Sequence, residues 1–549
     1  MHAVTIAIGL VSGVVVLVWL ARRVNIPYPI LLVLGGLALG FIPGLPRVQM
    51  RPDLIFLVFL PPLLMEESWG TSWRDFRRNL RPISLLAIGL VFVTTAAVAA
   101  VAHYAINGFS WAAGFVLGAI VAPTDELAAA VVASRLRIPR RIVTVIEDES
   151  LVNDASSLVI YRLASASVVA GAFSLLSGAI QFVYITVVGI AVGLLVGWVF
   201  AKILNRLDDP SIEITITLLI PFISYLVADH INASGVLAVV ATGLYLGRRA
   251  GRIQSSRTHI EADAVWEMLA FILNGVLFFL MGLQLRGIVS GLGGYSVLAM
   301  VGYAALISVV VIVVRIAWVF PAAYLPRRLS ARIRKNDPYP PWQWIAILSW
   351  TGVRGAISLA AALAIPLTIH GGAPYPERGP IIFITYGVIL ATLVLQGLSL
   401  PPLIRWLGVR GDGASRREEN KARVVAARAG LARLNDVEAQ GWAPQKALDD
   451  LRSHLDKRNR LYSARYGGEA DGVSETYHQA YYRLRDELLR AQREAVISLR
   501  DEGVISDQVL HRVQHELDLE ALQLDGGSEE GTGESVAEPD RQNGEENKR

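Results

Sequence analysis

Apolar residues in this chain come in long blocks rather than in alternation or at every third or fourth position. Thirteen blocks are long enough to cross a bilayer as helices, at roughly residues 3–20, 27–45, 52–68, 83–104, 111–133, 142–170, 176–202, 211–229, 232–247, 265–285, 295–325, 343–366 and 379–404. Those at 52–68 and 232–247 are at the short limit, and 295–325 is long enough to tilt. No Lys or Arg precedes the first block and Arg22-Arg23 follows it, so it reads as a retained helix rather than a cleaved signal. After about residue 410 the pattern changes. Residues 415–465 and 475–523 are rich in Arg, Glu, Ala and Leu with helical period, Leu484, Leu488, Ala491 and Ala495 falling on one face, and Gly467 to Gly472 is a break between them. From Gly526 onward almost no apolar residue remains, the composition of a disordered tail. The expected fold is an all-α polytopic membrane protein. It has a transmembrane domain over 1–408, a cytoplasmic helical region over 409–525 and a disordered tail over 526–549. The region after 408 reads equally as a regulatory or partner-binding module and as a solvated helical extension.

Composition agrees with that class. Of 549 residues 53% are hydrophobic and 18% charged, and the mean hydropathy of +0.46 excludes a soluble protein of this length. The absence of cysteine excludes disulfides and thiolate metal sites. Loop charges give a direction: with the N-terminus outside, inner loops hold twenty-one Lys or Arg and outer loops only Arg47, Arg51, Arg286 and Arg378. The C-terminus is then cytoplasmic. No GxxxxGK[ST] loop is present to drive an ATP-powered pump, and no HExxH, GxGD or Ser–Lys arrangement suggests a membrane enzyme.

Three polar constellations interrupt the apolar blocks. The first is Pro123-Thr124-Asp125-Glu126, in the fifth. Proline removes a backbone donor and leaves an acceptor unpaired a turn earlier. In a bilayer such a break persists only where the freed groups line a cavity or bind something, so it reads as an unwound cation site or as a kink packed against protein. The second is Glu147-Asp148-Glu149-Ser150-Leu151-Val152-Asn153-Asp154. Ser150 and Asp154 share one helical face and Glu149 and Asn153 the next, so one face offers the hydroxyl and carboxylate oxygens a hard cation takes. Glu147 and Asp148 sit toward the basic inner loop, solvated or steering. A carboxylate such as Asp154 held in hydrocarbon costs at least ~2.5 kcal/mol, and a chain tolerates that where the group moves protons or cations. The third is Ser349 to Ser358, where Gly352 and Gly355 flank Arg354 deep in an apolar block. Packing glycines are commonplace in membrane helices, but they do not explain an arginine, which needs an anionic partner.

The first two constellations fall in blocks 4–6 and the third in blocks 11–13. An offset of seven spans makes the two triplets cross the membrane in opposite senses, each with its middle member interrupted. Inverted repeats with broken helices meeting at the midplane mark secondary transporters that work by alternating access.

Five motifs stand in order along the chain: Leu60-Pro61-Pro62-Leu63-Leu64-Met65-Glu66, Ala122-Pro123-Thr124-Asp125, Glu149 to Asp154, Ala233-Ser234-Gly235-Val236-Leu237-Ala238 and Gly352-Val353-Arg354-Gly355-Ala356. On these the chain resembles, over roughly residues 5–408, a bacterial sodium/proton antiporter of the monovalent cation:proton antiporter-1 family, the NhaP-like group. The resemblance implies that Asp154 is the principal carboxylate for ion and proton. Asp125, Ser150 and the Thr124 backbone would complete the Na+ shell, and Glu66 would reach the same ion or else lie at the membrane boundary beside Glu67. Asn153, Glu149 and Arg354 would form a structural polar cluster, and Asn274 falls where animal exchangers carry an acid. Glu126-Leu127 departs from the family's usual Thr-Asp-Pro-Val. The asparagine before Asp154 implies electroneutral exchange of one proton for one cation, Na+ or Li+, in pH and sodium homeostasis. The same fold run with K+, or a cation channel, is the alternative. No cofactor is expected; the expected partners are monovalent cations, protons, the lipid bilayer and a second copy in a homodimer, with no nucleic acid.

Overall fold

Backbone amides in hydrocarbon must be satisfied within a helix or a closed barrel, and this chain uses helices. The structure is a computed structural model that describes residues 2–24, 26–42, 55–127, 136, 138–170, 175–207, 209–292, 295–369, 372–409, 411, 414–467, 472–502 and part of 504–520. Outside the described residues lie the tail at 526–549, Arg47 and Arg51 of the outer-loop tally, and 128–135, the end of the fifth apolar block. The chain divides into two compact units, residues 1–412 and 413–549.

In the first unit the helices are α1 (His2–Val24), α2 (Tyr28–Gly40), α3 (a π turn Ile55–Phe59 continuing as Leu60–Gly70), α4 (Leu80–Ala105), α5 (Trp111–Val121), α6 (Arg140–Ala170), α7 (Leu175–Leu204), α8 (Pro210–His230), α9 (Gly235–Gly247), α10 (Ser256–Leu283) and α11 (Val297–Leu329). They are followed by α12, in two halves (Trp342–Trp350 and Ala356–Leu363), and α13 (Arg378–Trp406). Among the described residues there is no β-strand, only an isolated bridge between Thr368 and Pro374. Six of these helices, α4, α7, α8, α10, α11 and α13, are long and apolar enough to cross a membrane, while α2, α5 and α9 are shorter apolar helices. Side-chain caps fix several starts: Ser110 accepts from the Ala113 amide ahead of α5, and Ser234 from the Leu237 amide ahead of α9.

The packing sorts these helices into two bundles. α4, α5 and α6 pack with α11, α12 and α13, and α1, α2 and α3 pack with α7 to α10. Small residues set the closest approaches, as is usual where lipid gives helices no hydrophobic drive to associate. A Cβ on Gly118 of α5 would come within 2.5 Å of the Thr95 carbonyl oxygen in α4, and one on Gly193 of α7 within 2.2 Å of the Ala238 carbonyl oxygen in α9. The bundles meet where α6 touches α3, α7 and α9, where α2 touches α13, and where α10 touches the second half of α12. That seam holds the polar residues.

The second unit begins with α14 (Ala414–Gln440) and α15 (Gln445–Gly467), packed as a hairpin. The stretch 415–465 is thus two helices. Gly441 takes the left-handed conformation (φ 71°) that ends a helix, and Pro444 follows where α15 starts. Arg452 meets Glu438 at 2.5 Å across the turn. After α16 (Gly472–Asp501), Asp518 and Glu520 pair back onto Arg493 and Arg485 at 2.5 and 2.8 Å.

Candidate functional site

α5 ends at Val121, with Ala122 as its cap still at helical angles, and the backbone from Pro123 to Glu126 is not helical; α12 is interrupted from Thr351 to Gly355. The two breaks touch, the Asp125 amide donating to the Val353 carbonyl at 2.7 Å. Pro123 contributes to the first interruption because it has no amide to donate back into α5, while Ala122 itself keeps helical angles (φ −70°, ψ −43°). The carbonyls freed by the breaks find side-chain donors, as buried backbone must. Arg354 Nε donates to the Val121 carbonyl at 3.0 Å, and its guanidinium also donates to the Gly352 carbonyl. Ser150 Oγ donates to the Thr124 carbonyl at 2.8 Å, and the Arg354 amide donates to Thr392 Oγ1 in α13 at 3.2 Å.

The glycines around Arg354 serve two different neighbours. A Cβ on Gly352 would lie 2.5 Å from Arg315 Cδ, and one on Gly355 only 1.7 Å from Asp125 Oδ2. Asp125 is further fixed by accepting from the Leu127 amide at Oδ1, 2.8 Å away. One side of the unwound segment is therefore shaped to seat a carboxylate.

α6 supplies the rest. Asn153 Nδ2 donates to Thr124 Oγ1 at 2.8 Å, and that hydroxyl lies 3.5 Å from Glu149 Oε1. Glu149 is gripped by Arg315 of α11, Nη1 to Oε1 at 2.5 Å and Nη2 to Oε2 at 3.0 Å, with both side chains 1% exposed. Arg315 Nη2 also donates to the Leu348 carbonyl at 3.0 Å. The guanidinium facing Glu149 is thus Arg315, while Arg354 uses its donors on broken backbone. Arg315 was legible as a lone arginine within an otherwise apolar run from Val309 to Phe320.

A small cavity opens at the seam. Its polar lining is Glu67 of α3, Thr124 and Asp125 of the first break, Ser150 and Asp154 of α6, Asn274 of α10 and Ser358 of α12; Leu63, Leu277 and Phe278 form an apolar wall. Asp154 is 6% exposed, and among the described residues nothing donates to its carboxylate. Four of the expected residues, Asp154, Asp125, Ser150 and Thr124, share this cavity. Asn153 and Glu149 stand behind it, holding Thr124. Glu66 is half-buried and does not line the cavity; its neighbour Glu67 does. Of the acids ahead of Glu149 in α6, Glu147 is exposed and Asp148 buried.

The family model described as sodium/hydrogen exchanger, transmembrane, matches residues 10–406. The chain belongs to the sodium/hydrogen exchanger family. The exchanger is 37% identical over 533 residues to an uncharacterised Na+/H+ exchanger of Mycobacterium tuberculosis, covering 94% of this chain and 96% of that one. It is 33% identical over 454 residues to the Na+/H+ antiporter ApNhaP of Aphanothece halophytica, covering 80% and 83%. Its fold matches that of the sodium proton antiporter MjNhaP1 from Methanocaldococcus jannaschii with a TM-score of 0.54 at 21% identity, over 74% of this chain and 99% of that one. The resemblance carried by the five motifs therefore holds, and the exchanger is a multi-pass membrane protein.

Proposed function

We propose that the exchanger trades one Na+ for one H+ by alternating access at the cavity around Asp154, with no net charge moved. The observation that carries this reading is the meeting of two interrupted helices beside two carboxylates, Asp154 and Asp125, in one buried cavity. A carboxylate in such a place binds a proton or a cation but not both, so the two compete. If only loaded forms reorient, competition becomes exchange. Asp154 is the shared group. Asp125, Ser150 and the Thr124 backbone supply further oxygens, and Glu66, or Glu67 which lines the cavity, adds a second carboxylate from α3. Thirteen spans, with the N-terminus outside and the C-terminus inside, make the α4–α6 and α11–α13 triplets inverted repeats that move together against the remainder. The exchanger works as a homodimer in the cell membrane and serves pH and sodium homeostasis. Relatives named for Na+/H+ exchange support sodium as a cargo, and antiport over a channel.

The test is Asp154→Asn in proteoliposomes carrying a pH gradient. The variant is expected to fold and to lose Na+-driven collapse of ΔpH. Collapse at the wild-type rate would remove Asp154 from the mechanism.

A further inference from the structure

Where α4 and α6 begin and α11 ends, three guanidiniums converge on one carboxylate. Arg81, Arg141 and Arg327 lie 2.5, 2.7 and 2.6 Å from Asp337, which sits in the loop between α11 and α12. Three positive groups against one negative leave a surplus of two. One carboxylate satisfies one donor from each arginine, and Arg81 Nε is buried with no partner among the described residues. Arg327 is 4% exposed, so part of this charge is held well away from water.

The three arginines line the mouth of a cleft of about 60 Å³. No acid lines it. Its walls continue with apolar side chains: Leu86 from α4, Val145 from α6, Val319 from α11, and Trp344 and Leu348 from the first half of α12. At 1.5 Å of rise per residue, Val145 lies about 6 Å beyond Arg141 along α6 and Val319 about 12 Å beyond Arg327 along α11. The cleft therefore runs from cationic at the helix ends to apolar one to two turns inward.

We propose that this cleft holds an anionic phospholipid. Its phosphate diester sits among Arg81, Arg141 and Arg327, and the first methylenes of an acyl chain lie against Val145, Val319 and Trp344. Guanidinium forks suit phosphate oxygens, and basic pockets between membrane helices recognise anionic headgroups in this way. The apolar wall selects a lipid over a free anion, because inorganic phosphate would leave it uncovered. Every wall belongs to the α4–α6 and α11–α13 bundle, so the lipid would travel with that bundle. The proposal requires a membrane protein but not ion exchange, so its failure would leave the exchange reading untouched.

The test uses the full chain, delipidated in a neutral detergent, and follows its thermal midpoint during titration with phosphatidylglycerol, phosphatidylcholine of the same acyl chains, or inorganic phosphate. A saturable rise with phosphatidylglycerol alone is expected. Arg81→Gln and Ala322→Phe should each weaken it at least tenfold, the first by removing the unpaired donor and the second by filling the cleft with every charge kept. Should Arg81→Gln fail to fold, Ala322→Phe decides. An equal response to phosphatidylcholine or to inorganic phosphate would overturn the proposal, and so would an unchanged phosphatidylglycerol response in Ala322→Phe.

Discussion

Removing Arg315 alone should cost more than removing Arg315 and Glu149 together. The two side chains are 1% exposed and joined by two hydrogen bonds of 2.5 and 3.0 Å. Arg315→Met leaves the Glu149 carboxylate buried with, among the described residues, only Thr124 Oγ1, at 3.5 Å, within reach as a donor. Deleting one member of a buried ion pair destabilises a protein by roughly 3–5 kcal/mol, because the other charge stays desolvated. Replacing both members by apolar groups of similar volume is often neutral or better. Arg315→Met should therefore lose about 3–5 kcal/mol, and Arg315→Met/Glu149→Met should return to within about 1 kcal/mol of the wild type, a coupling large for a pair in contact. Equilibrium unfolding of the purified exchanger in mixed detergent, run on both singles and the double, measures the cycle. A single substitution costing under about 1 kcal/mol, or a double costing the sum of the singles, would refute the view of Glu149 as a charge that depends on Arg315.

Three further outcomes follow from the geometry. Gly355→Ala places a methyl 1.7 Å from Asp125 Oδ2 and 2.6 Å from Asp125 Cβ; the Asp125 backbone must shift along with its carboxylate, so Na+ transport should slow at least about tenfold, since misplacing a site group by an ångström can cost a hundredfold. Glu67→Gln should raise the apparent KM for Na+ about tenfold, equivalent to roughly 1.4 kcal/mol, and Glu66→Gln should change it less; the reverse order would put Glu66 at the ion. For Asp337, burial pushes the carboxyl up, but hydrogen bonds and charge from Arg141 and Arg327 outweigh it and hold it below its ordinary value. Its stabilising contribution is then present above the unfolded value of ~3.9 and lost as pH falls through the lower folded value. The stability gap between wild type and Asp337→Asn should be constant near neutrality and narrow as pH falls below about 4; a gap that stays constant or widens on that descent would refute it.

Much of this molecule was legible in the sequence because the bilayer imposes harsh rules. Apolar blocks, Pro123 and the Ser150–Asp154 spacing pointed to helices, to a break and to a polar face, and the structure brings those residues into one cavity. The partner of Glu149 was harder to read. Two arginines, Arg315 and Arg354, lie deep in apolar helices, and sequence spacing cannot say which one crosses to α6. The contact depends on Gly352, whose missing side chain leaves room for Arg315. Gly441 and Pro444, which split 415–465 into a hairpin, were ordinary stop and start signals inside a strongly helical composition.

The choice between Glu66 and Glu67 is a question of helical phase. Neighbouring residues on a helix point about 100° apart, so only one of two adjacent glutamates can face the cavity squarely. α3 does not begin as a regular α-helix: a π turn over Ile55–Phe59 runs directly into Leu60-Pro61-Pro62. The two prolines cannot donate back to the preceding turn, and a π turn accommodates the loss by taking in about one extra residue. One extra residue rotates everything after it by about one residue's angle, which is the difference between presenting position 66 and presenting position 67. Phase counted along an unbroken helix does not carry across such a turn. Reciprocal substitutions are therefore the proper probe: moving the acid, with Glu67→Gln and Glu66→Gln in one series, reads the phase of α3 directly through the KM for Na+.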